Sequence, residues 1–338
     1  MLTKVLVADS QAIAQAAAIL RAGGLVAFPT ETVYGLAANA VDARAVAGIF
    51  TAKGRPSNNP LIVHVASSGD AAHLAADWPT SAQALARQFW PGPLTLVVSK
   101  SDRMIDLVTA GGPTVAVRVP AHPVARALLQ TSGLPLAAPS ANRSSGLSST
   151  RAEHVLADLD GRIDLVLDGG PTPGGIESTV LDVTTSPPRV LRPGPITPSR
   201  IEAVIGVVDV PNLQAPQEPL RSPGLLARHY APRTPLETTA DDGLERLTQL
   251  HKAGNRVGWL TFGDPHDMVP IGPVVLAMPT DPLAYAAQLY SALHILDSAQ
   301  VDRIVVALPP TGEAWLAIHE RLRRAETKCG TTPPLPVQ

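Results

Sequence analysis

The 338-residue chain has one cysteine, few aromatic side chains (4%) and a formal net charge of only −2. A single cysteine, Cys329, excludes an internal disulfide and a cysteine-built zinc site, and it agrees with a reducing cytosol. Beside Lys328 and Gly330, near the end, it is given no catalytic role. So few aromatics weigh against reading single-stranded bases by stacking. Charge is also balanced along the chain: 16 Lys and Arg face 15 Asp and Glu through Ile205 (+1), and 11 face 14 beyond it (−3). Neither part has the basic excess of a non-specific nucleic-acid binder, so any anion site must be built from a few placed cations. No apolar run reaches about 18 residues, so neither a transmembrane helix nor a membrane partner is expected. Met1–Ser10 has no basic segment leading into an apolar one. No secretory leader is therefore expected, and the expected location is cytoplasmic.

The usual nucleotide and hydrolase motifs are missing as well. There is no G-x-x-x-x-G-K-[ST] loop, no G-x-G-x-x-G after a strand, no histidine pair at zincin spacing and no G-x-S-x-G elbow. Those absences weaken the P-loop, dehydrogenase, metalloprotease and serine-hydrolase readings.

What is present is an alternation of strand-like and helix-like stretches over the first two hundred residues. LVAFP (25–29), LIVHVA (61–66), LTLVVS (94–99), TVAVRVP (114–120) and STVLDV (178–183) read as strands. Ser10 to Ala22 reads as an alanine-rich helix stopped by Gly23 and Gly24, and Asp42 can cap a helix running to Lys53. Thr150 with Glu153 predicts a capping box opening a helix that ends near Gly161. The mixture implies an α/β layer fold. After Ile205 comes a proline-rich stretch without aliphatic periodicity (211–224), which is linker chemistry. Beyond it, NRVGWL, PVVLAM and RIVVAL read as strands, with amphipathic helices near Asp281–Asp297 and Gly312–Arg324. The division expected is a first domain over 1–205, a linker over 206–235 and a smaller α/β domain over 236–328.

Polar loops follow the apolar strands. PTETVYGLAAN (29–39) sets hydroxyls and a carboxylate at the end of LVAFP, where α/β folds usually bind ligands. In KGRPSNNPLIVHV (53–65), Lys53 and Arg55 flank a glycine in a proline-stiffened loop, an arrangement suited to a polyphosphate but also to a solvated basic loop. His64 alternates with Val63 and Val65 and, alone, reads more simply as a strand histidine. Arg118, inside VAVRVP, needs an anionic partner or a wet cleft, since an unpaired buried charge costs several kcal/mol. PLAAPSANRSSGLSST (135–150) brings Ser140 and Asn142, and DGGPTPGGIESTV (168–180) brings glycines that let backbone N–H groups approach an anion. VLRPGP (190–195) sets Arg192 at another strand end. Converging at strand edges, these elements predict an anion-binding cleft without a P-loop.

In this order, PTETVYGL, KGRPSNNPL, WPGPLT, VAVRVP, APSAN, GGIEST and LRPGP resemble the YrdC-domain family, the threonylcarbamoyl-AMP synthases. The likeness spans Val26 to Pro195, and SPGLLARHYAP (222–232) is similar to the linker of the family's long form, which carries an extra C-terminal domain. The resemblance implies a twisted mixed α/β sheet with a positively charged cavity and a smaller Rossmann-like α/β C-terminal domain. It implies condensation of L-threonine, bicarbonate and ATP, with Mg²⁺ on the nucleotide, to threonylcarbamoyl-AMP and pyrophosphate. The product would pass to a downstream threonylcarbamoyl-transferase complex that modifies tRNA next to the anticodon.

Residue by residue, Lys53, Arg55, Ser140 and Asn142 match the family's nucleotide tetrad, and Asn59, Thr114, Ser148, Arg192 and Tyr230 fall on further ATP-contact positions. Thr32, His64, Arg118, Ala138 and Ser178 fall around the amino acid. Lys53, Arg55 and His64 are the catalytic candidates, no protein metal ligand is assigned, and the linker could close over the cavity as a lid.

The chain departs from the pattern in the loop after Asn142, where RSSGLSST shifts the glycine and loses a proline. It also has Leu225 in place of methionine and His319-Glu320 in the late helix. An RNA-binding or ribosome-assembly module using the same cavity is the alternative in a different class, and direct tRNA contact stays open. A carbamoyl-phosphate-using relative is a nearer rival, but it would carry zinc-finger cysteines and an acylphosphatase segment.

Overall fold

A computed structural model describes residues 2–210, 229–265 and 274–327. The predicted linker residues 211–228, with the resemblance to the long-form linker over 222–228, and Cys329 lie outside the described residues.

Two sheets organise these residues. The larger is built from β1 (Lys4–Val7), β2 (Val26–Phe28), β3 (Gly35–Asn39), β4 (Ile62–His64), β5 (Leu94–Ser99), β6 (Thr114–Arg118), β7 (Leu136–Ala137), β8 (Leu165–Asp168), β9 (Thr179–Asp182) and β10 (Arg189–Arg192). Its strand order is β1-β8-β2-β3-β7-β4-β6-β5-β9-β10, a twisted mixed sheet with both parallel and antiparallel pairs. The smaller, all-parallel sheet takes β11 (Leu236–Thr239), β12 (Val257–Phe262), β13 (Val274–Met278) and β14 (Arg303–Ala307) in the order β11-β14-β12-β13.

All five strands expected in the first part are present, shortened by a residue or two at their ends except β5, which fills LTLVVS. Helices cover both faces of the large sheet. Ser10–Arg21 and Pro123–Ser132 bury Ala16, Leu20, Leu128 and Leu129 on one face. Ala43–Lys53, Thr80–Phe89 and Ala152–Leu159 bury Ile49, Leu85 and Val155 on the other. Asp42 caps its helix as expected, accepting from the amides of Arg44 and Ala45. That helix ends on Gly54, whose φ of 62° only glycine adopts without strain. The capping box at Thr150 does not form. The helix starts at Ala152 behind Arg151, with no side-chain cap. The Thr150 hydroxyl instead meets Ser291 of the second sheet's helix (2.9 Å) and His154 (3.3 Å), tertiary partners that displace the local motif.

The second sheet packs its helix Pro282–Ser298 against the first part, and the apolar core crosses the boundary. Val33, Leu147 and Ile176 join the same buried cluster as Tyr285, Leu289 and Leu293. Gly175 marks the closest approach: a Cβ there would lie 2.2 Å from the carbonyl oxygen of Ala286. Only glycine fits at that point.

Candidate active site

Strand register brings the polar motifs together. His64 of β4 and Arg118 of β6 are paired residues of neighbouring parallel strands. Phe28 pairs with Gly35, turning the 29–34 loop over the end of β2, and Gly35 in turn bridges to Ser140 beyond β7. Leu94 pairs with Thr179, which delivers Ser178 to the same edge.

The result is one cavity lined by Thr32, Arg55, His64, Arg118, Ala138 and Ser140 from one side. Ser178, Arg192, Glu177, His229 and Tyr230 close it from the other. Nine of the sequence-predicted residues line this space. Lys53 and Asn142 stand directly behind Ser140: Lys53 Nζ donates to the carbonyl of Ser140 (2.6 Å) and to that of Asn142 (2.5 Å), while Ser140 Oγ donates to Asn142 Oδ1 (2.5 Å). Lys53, Ser140 and Asn142 thus form one hydrogen-bonded unit, while the Arg55 guanidinium donates to the carbonyls of Asn59 (3.2 Å) and Pro60 (2.8 Å). Asn59 is fully buried with both side-chain amide atoms unpartnered. A buried polar group in that condition implies a ligand or water to satisfy it. Ser148 is also buried and reaches the cavity only through Glu177, to which its hydroxyl donates. Thr114 is not brought to this cavity. It lines a separate space of about 300 Å³ with Leu61, Thr109 and Thr184, at the other end of β6 from Arg118.

The electrostatics are those of an anion site. Among the described residues no salt bridge pairs Lys53 or Arg55. Burial first, and then Arg55, hold the Lys53 pKa well below the usual lysine value. Burial brings that of Arg55 to about 10, opposed by Tyr230 and aided by Arg192. Arg192 grips the loop before β9 through the Ser178 carbonyl (3.1 Å from Nε) and hydroxyl (3.2 Å). Burial and the positive Arg118 lower the His64 pKa to about 3, so its imidazole is neutral near pH 7.

Arg118 has found an anionic partner inside the protein. Its Nη2 lies 2.6 Å from Glu31, its Nη1 donates to Thr32 (3.1 Å) and its Nε to the Gly92 carbonyl (3.1 Å). Five guanidinium N–H groups leave two for a ligand. Glu31 was legible only as the carboxylate of Thr-Glu-Thr, and Glu177 carried no signal beyond its place in GGIEST. Both prove central to the cavity's charge.

His229 and Tyr230 belong to the lining of this cavity, whose volume is about 40 Å³. His229 donates its backbone N–H to the Arg324 carbonyl (3.2 Å), and Ala231 to that of Ser145 (3.0 Å). Tyr230 sits at φ 59°, a left-handed conformation that costs a tyrosine energy, with its ring 5.2 Å from the Arg321 guanidinium. Its hydroxyl and His229 Nδ1 are buried without partners.

A twisted α/β sheet whose strand edges surround a basic cavity, with a second parallel sheet docked on it, defines an anion-handling enzyme with no P-loop. Comparison with known proteins narrows the class. Residues 18–194 match the sequence family described as "Telomere recombination", and 196–326 the one described as "Threonylcarbamoyl-AMP synthase, C-terminal domain". The chain is similar to the threonylcarbamoyl-AMP synthase of Bacillus subtilis (strain 168), 48% identical over 93% of this chain and 92% of the relative. It is also similar to the synthase of Pyrococcus abyssi (strain GE5 / Orsay), 42% identical over 92% of each. The solved structure of P. abyssi Sua5 complexed with L-threonine superposes with a TM-score of 0.88, at 40% identity and over 96% of both chains. The chain belongs to the threonylcarbamoyl-AMP synthase family, enzymes of nucleotidyltransferase type.

Proposed function

We propose that the enzyme condenses L-threonine and bicarbonate with ATP to threonylcarbamoyl-AMP, pyrophosphate and water, supplying the carbamoyl group for a tRNA base next to the anticodon. The observation that carries this reading is the meeting of Arg55, Arg118, Arg192 and the Lys53–Ser140–Asn142 unit around one cavity. Of the relatives, P. abyssi Sua5 has been solved with L-threonine bound. In the reaction the neutral amine of threonine captures the bicarbonate-derived carbon. The carbamate oxygen then attacks the α-phosphorus and pyrophosphate leaves. Little bond chemistry is asked of side chains, so positioning and charge neutralisation dominate.

In this reading Arg55, Ser140 and Arg192 face the phosphates, Lys53 and Asn142 hold Ser140 from behind, and the orphaned amide of Asn59 is completed by the nucleotide. Thr114 and its separate cavity take the nucleoside end, and Ser148 contributes through Glu177. Thr32, Arg118, Ala138 and Ser178 hold threonine, with the two remaining N–H groups of Arg118 on its carboxylate. His64, neutral and with a pKa far below the working pH, orients the amino acid rather than removing its proton. Mg²⁺ would arrive on the phosphates of ATP as part of the substrate. Among the described residues no group of three His, Cys, Asp or Glu side chains forms a metal cradle. His229 and Tyr230 must yield room before both substrates fit, and they are the contact through which the linker would close the site.

The test is direct. With ATP, Mg²⁺, labelled bicarbonate and L-threonine, the protein should form a labelled adenylate and release pyrophosphate only when both co-substrates are present. Serine, lacking a methyl worth about 1–3 kcal/mol of packing, should be a modestly poorer substrate. Equal turnover of glycine would count against the amino-acid site.

A further inference from the structure

The cavity wall at Glu177 is not made by the catalytic sheet alone. Glu177 is buried and lies on the 174–178 loop, which is pressed between two bodies. On one side, a Cβ at Gly174 would meet the Glu31 carbonyl oxygen at 2.5 Å. On the other, one at Gly175 would meet Ala286 of the helix Pro282–Ser298 at 2.2 Å. The carboxylate faces three donors. Oε1 accepts from Ser148, and Oε2 accepts from Tyr290 Oη (3.1 Å) and from Arg321 Nε (2.9 Å). Tyr290 and Arg321 both come from the C-terminal sheet's helices. Arg321, 1% exposed, also donates to the carbonyls of Pro193 (2.8 Å) and Glu177 (3.4 Å). It stacks under Tyr230 and pairs with Glu320, which in turn holds Arg324. The buried ions Glu177, Glu320, Arg321 and Arg324 therefore balance.

Without Arg321, Glu177 would lose its ion-pair partner and keep Arg192 as its remaining charged neighbour, and this carboxylate lines the cavity that must accept a polyanion. We infer that Arg321, from the C-terminal domain, is a positioning residue of the catalytic site. It neutralises Glu177 and fixes the 174–178 loop, so that the cavity presents its positive groups to the triphosphate. This rests on the ATP-using reaction proposed above. It makes the C-terminal domain a structural wall of the active site rather than an appended module.

Four full-length proteins decide the matter: wild type, Arg321→Met, Glu177→Gln and the Glu177→Gln/Arg321→Met double variant. Each is assayed for adenylate formation with ATP and threonine varied in turn, and for cooperative thermal unfolding. If the wild type makes no adenylate, the proposed reaction fails and the inference with it. If it does, R321M should raise the KM for ATP about tenfold or more, and the KM for threonine by less than half as much. E177Q supplies the single-variant corner of the cycle, and the double variant should recover most of the ATP KM lost in R321M, because both charges have then gone. An R321M protein that unfolds like wild type with both KM values unchanged, or raised equally, overturns the assignment. So does a double variant no better than R321M. Should R321M fail to fold, the double variant carries the test: a tenfold rise in its ATP KM over that of E177Q would overturn it.

Discussion

At the scale of single residues, the cavity's chemistry is decided by which cations already have partners. Arg118 does: Glu31 is 2.6 Å away and its carboxyl is held below the usual range by that guanidinium, against the upward push of burial. Arg118→Ala therefore has two effects, loss of a charge-assisted contact worth roughly 1.5–3 kcal/mol and exposure of the amino-acid site to an uncompensated carboxylate. The KM for threonine should rise by tenfold or more and that for ATP far less. Glu31→Gln, which frees Arg118, should leave threonine use intact or improved. Unchanged threonine affinity in R118A would reduce Arg118 to the partner of Glu31. Lys53→Ala and Arg55→Ala should have the opposite bias, damaging ATP use or the chemical step, since neither residue is paired with a carboxylate among the described residues.

At the scale of elements, the helix Ala43–Lys53 carries the tetrad's lysine in its last turn, and its start depends on Asp42. Asp42→Ala should cost about 1 kcal/mol, typical of a lost N-cap. In a chain of this size that lowers the melting temperature by a few degrees. ATP affinity should hardly move, because Lys53 Nζ is fixed from outside the helix by the Ser140 and Asn142 carbonyls. A large ATP KM change in D42A would mean that the helix, not those carbonyls, sets the lysine. Asp42 was legible in the sequence because a cap is a local device, and so were the valine-rich strands, whose side chains favour a pleated, half-buried surface. Thr150 misled because its hydroxyl is taken by Ser291, 141 positions away. The strand Gly35–Asn39 was read only as loop, since Gly-Leu-Ala-Ala-Asn has no strand propensity and is extended by its neighbours in the sheet. The site residues of local motifs could be named from the chain. Glu177 could not, because the partner that gives it meaning, Arg321, lies 144 positions on.

At the scale of the molecule, the two sheets share a core and a band of histidines. Cutting the chain before Pro211 would strip Val33, Leu147 and Ile176 of their apolar cover and leave Glu177 buried without Arg321. The fragment should fold on its own clusters yet melt lower and lose most synthesis; full activity in a well-folded fragment would contradict the shared wall. Acid should loosen the same boundary. His154 stacks on His294 across it, ring centroids 3.9 Å apart, and His294 faces the Ser148 carbonyl, while His229 sits beneath Arg324. Burial, then His294, then Arg151 lower the His154 pKa to about 3, and burial leads the lowering of His294 despite Asp158 and Asp297 nearby. His229 is held down by burial and by Arg55, Lys53, Arg324 and Arg192. The folded protein thus refuses protons that the unfolded chain takes up near pH 6.5. Stability is fully present above about pH 6.5 and drains as the pH falls from there toward 3. Melting temperatures recorded between pH 7.5 and 5 should decline, and His154→Gln should flatten that decline, because its stack no longer has a charge to refuse. A melting temperature independent of pH over that range, or an H154Q profile parallel to wild type, would show that the interface histidines do not couple docking to protons.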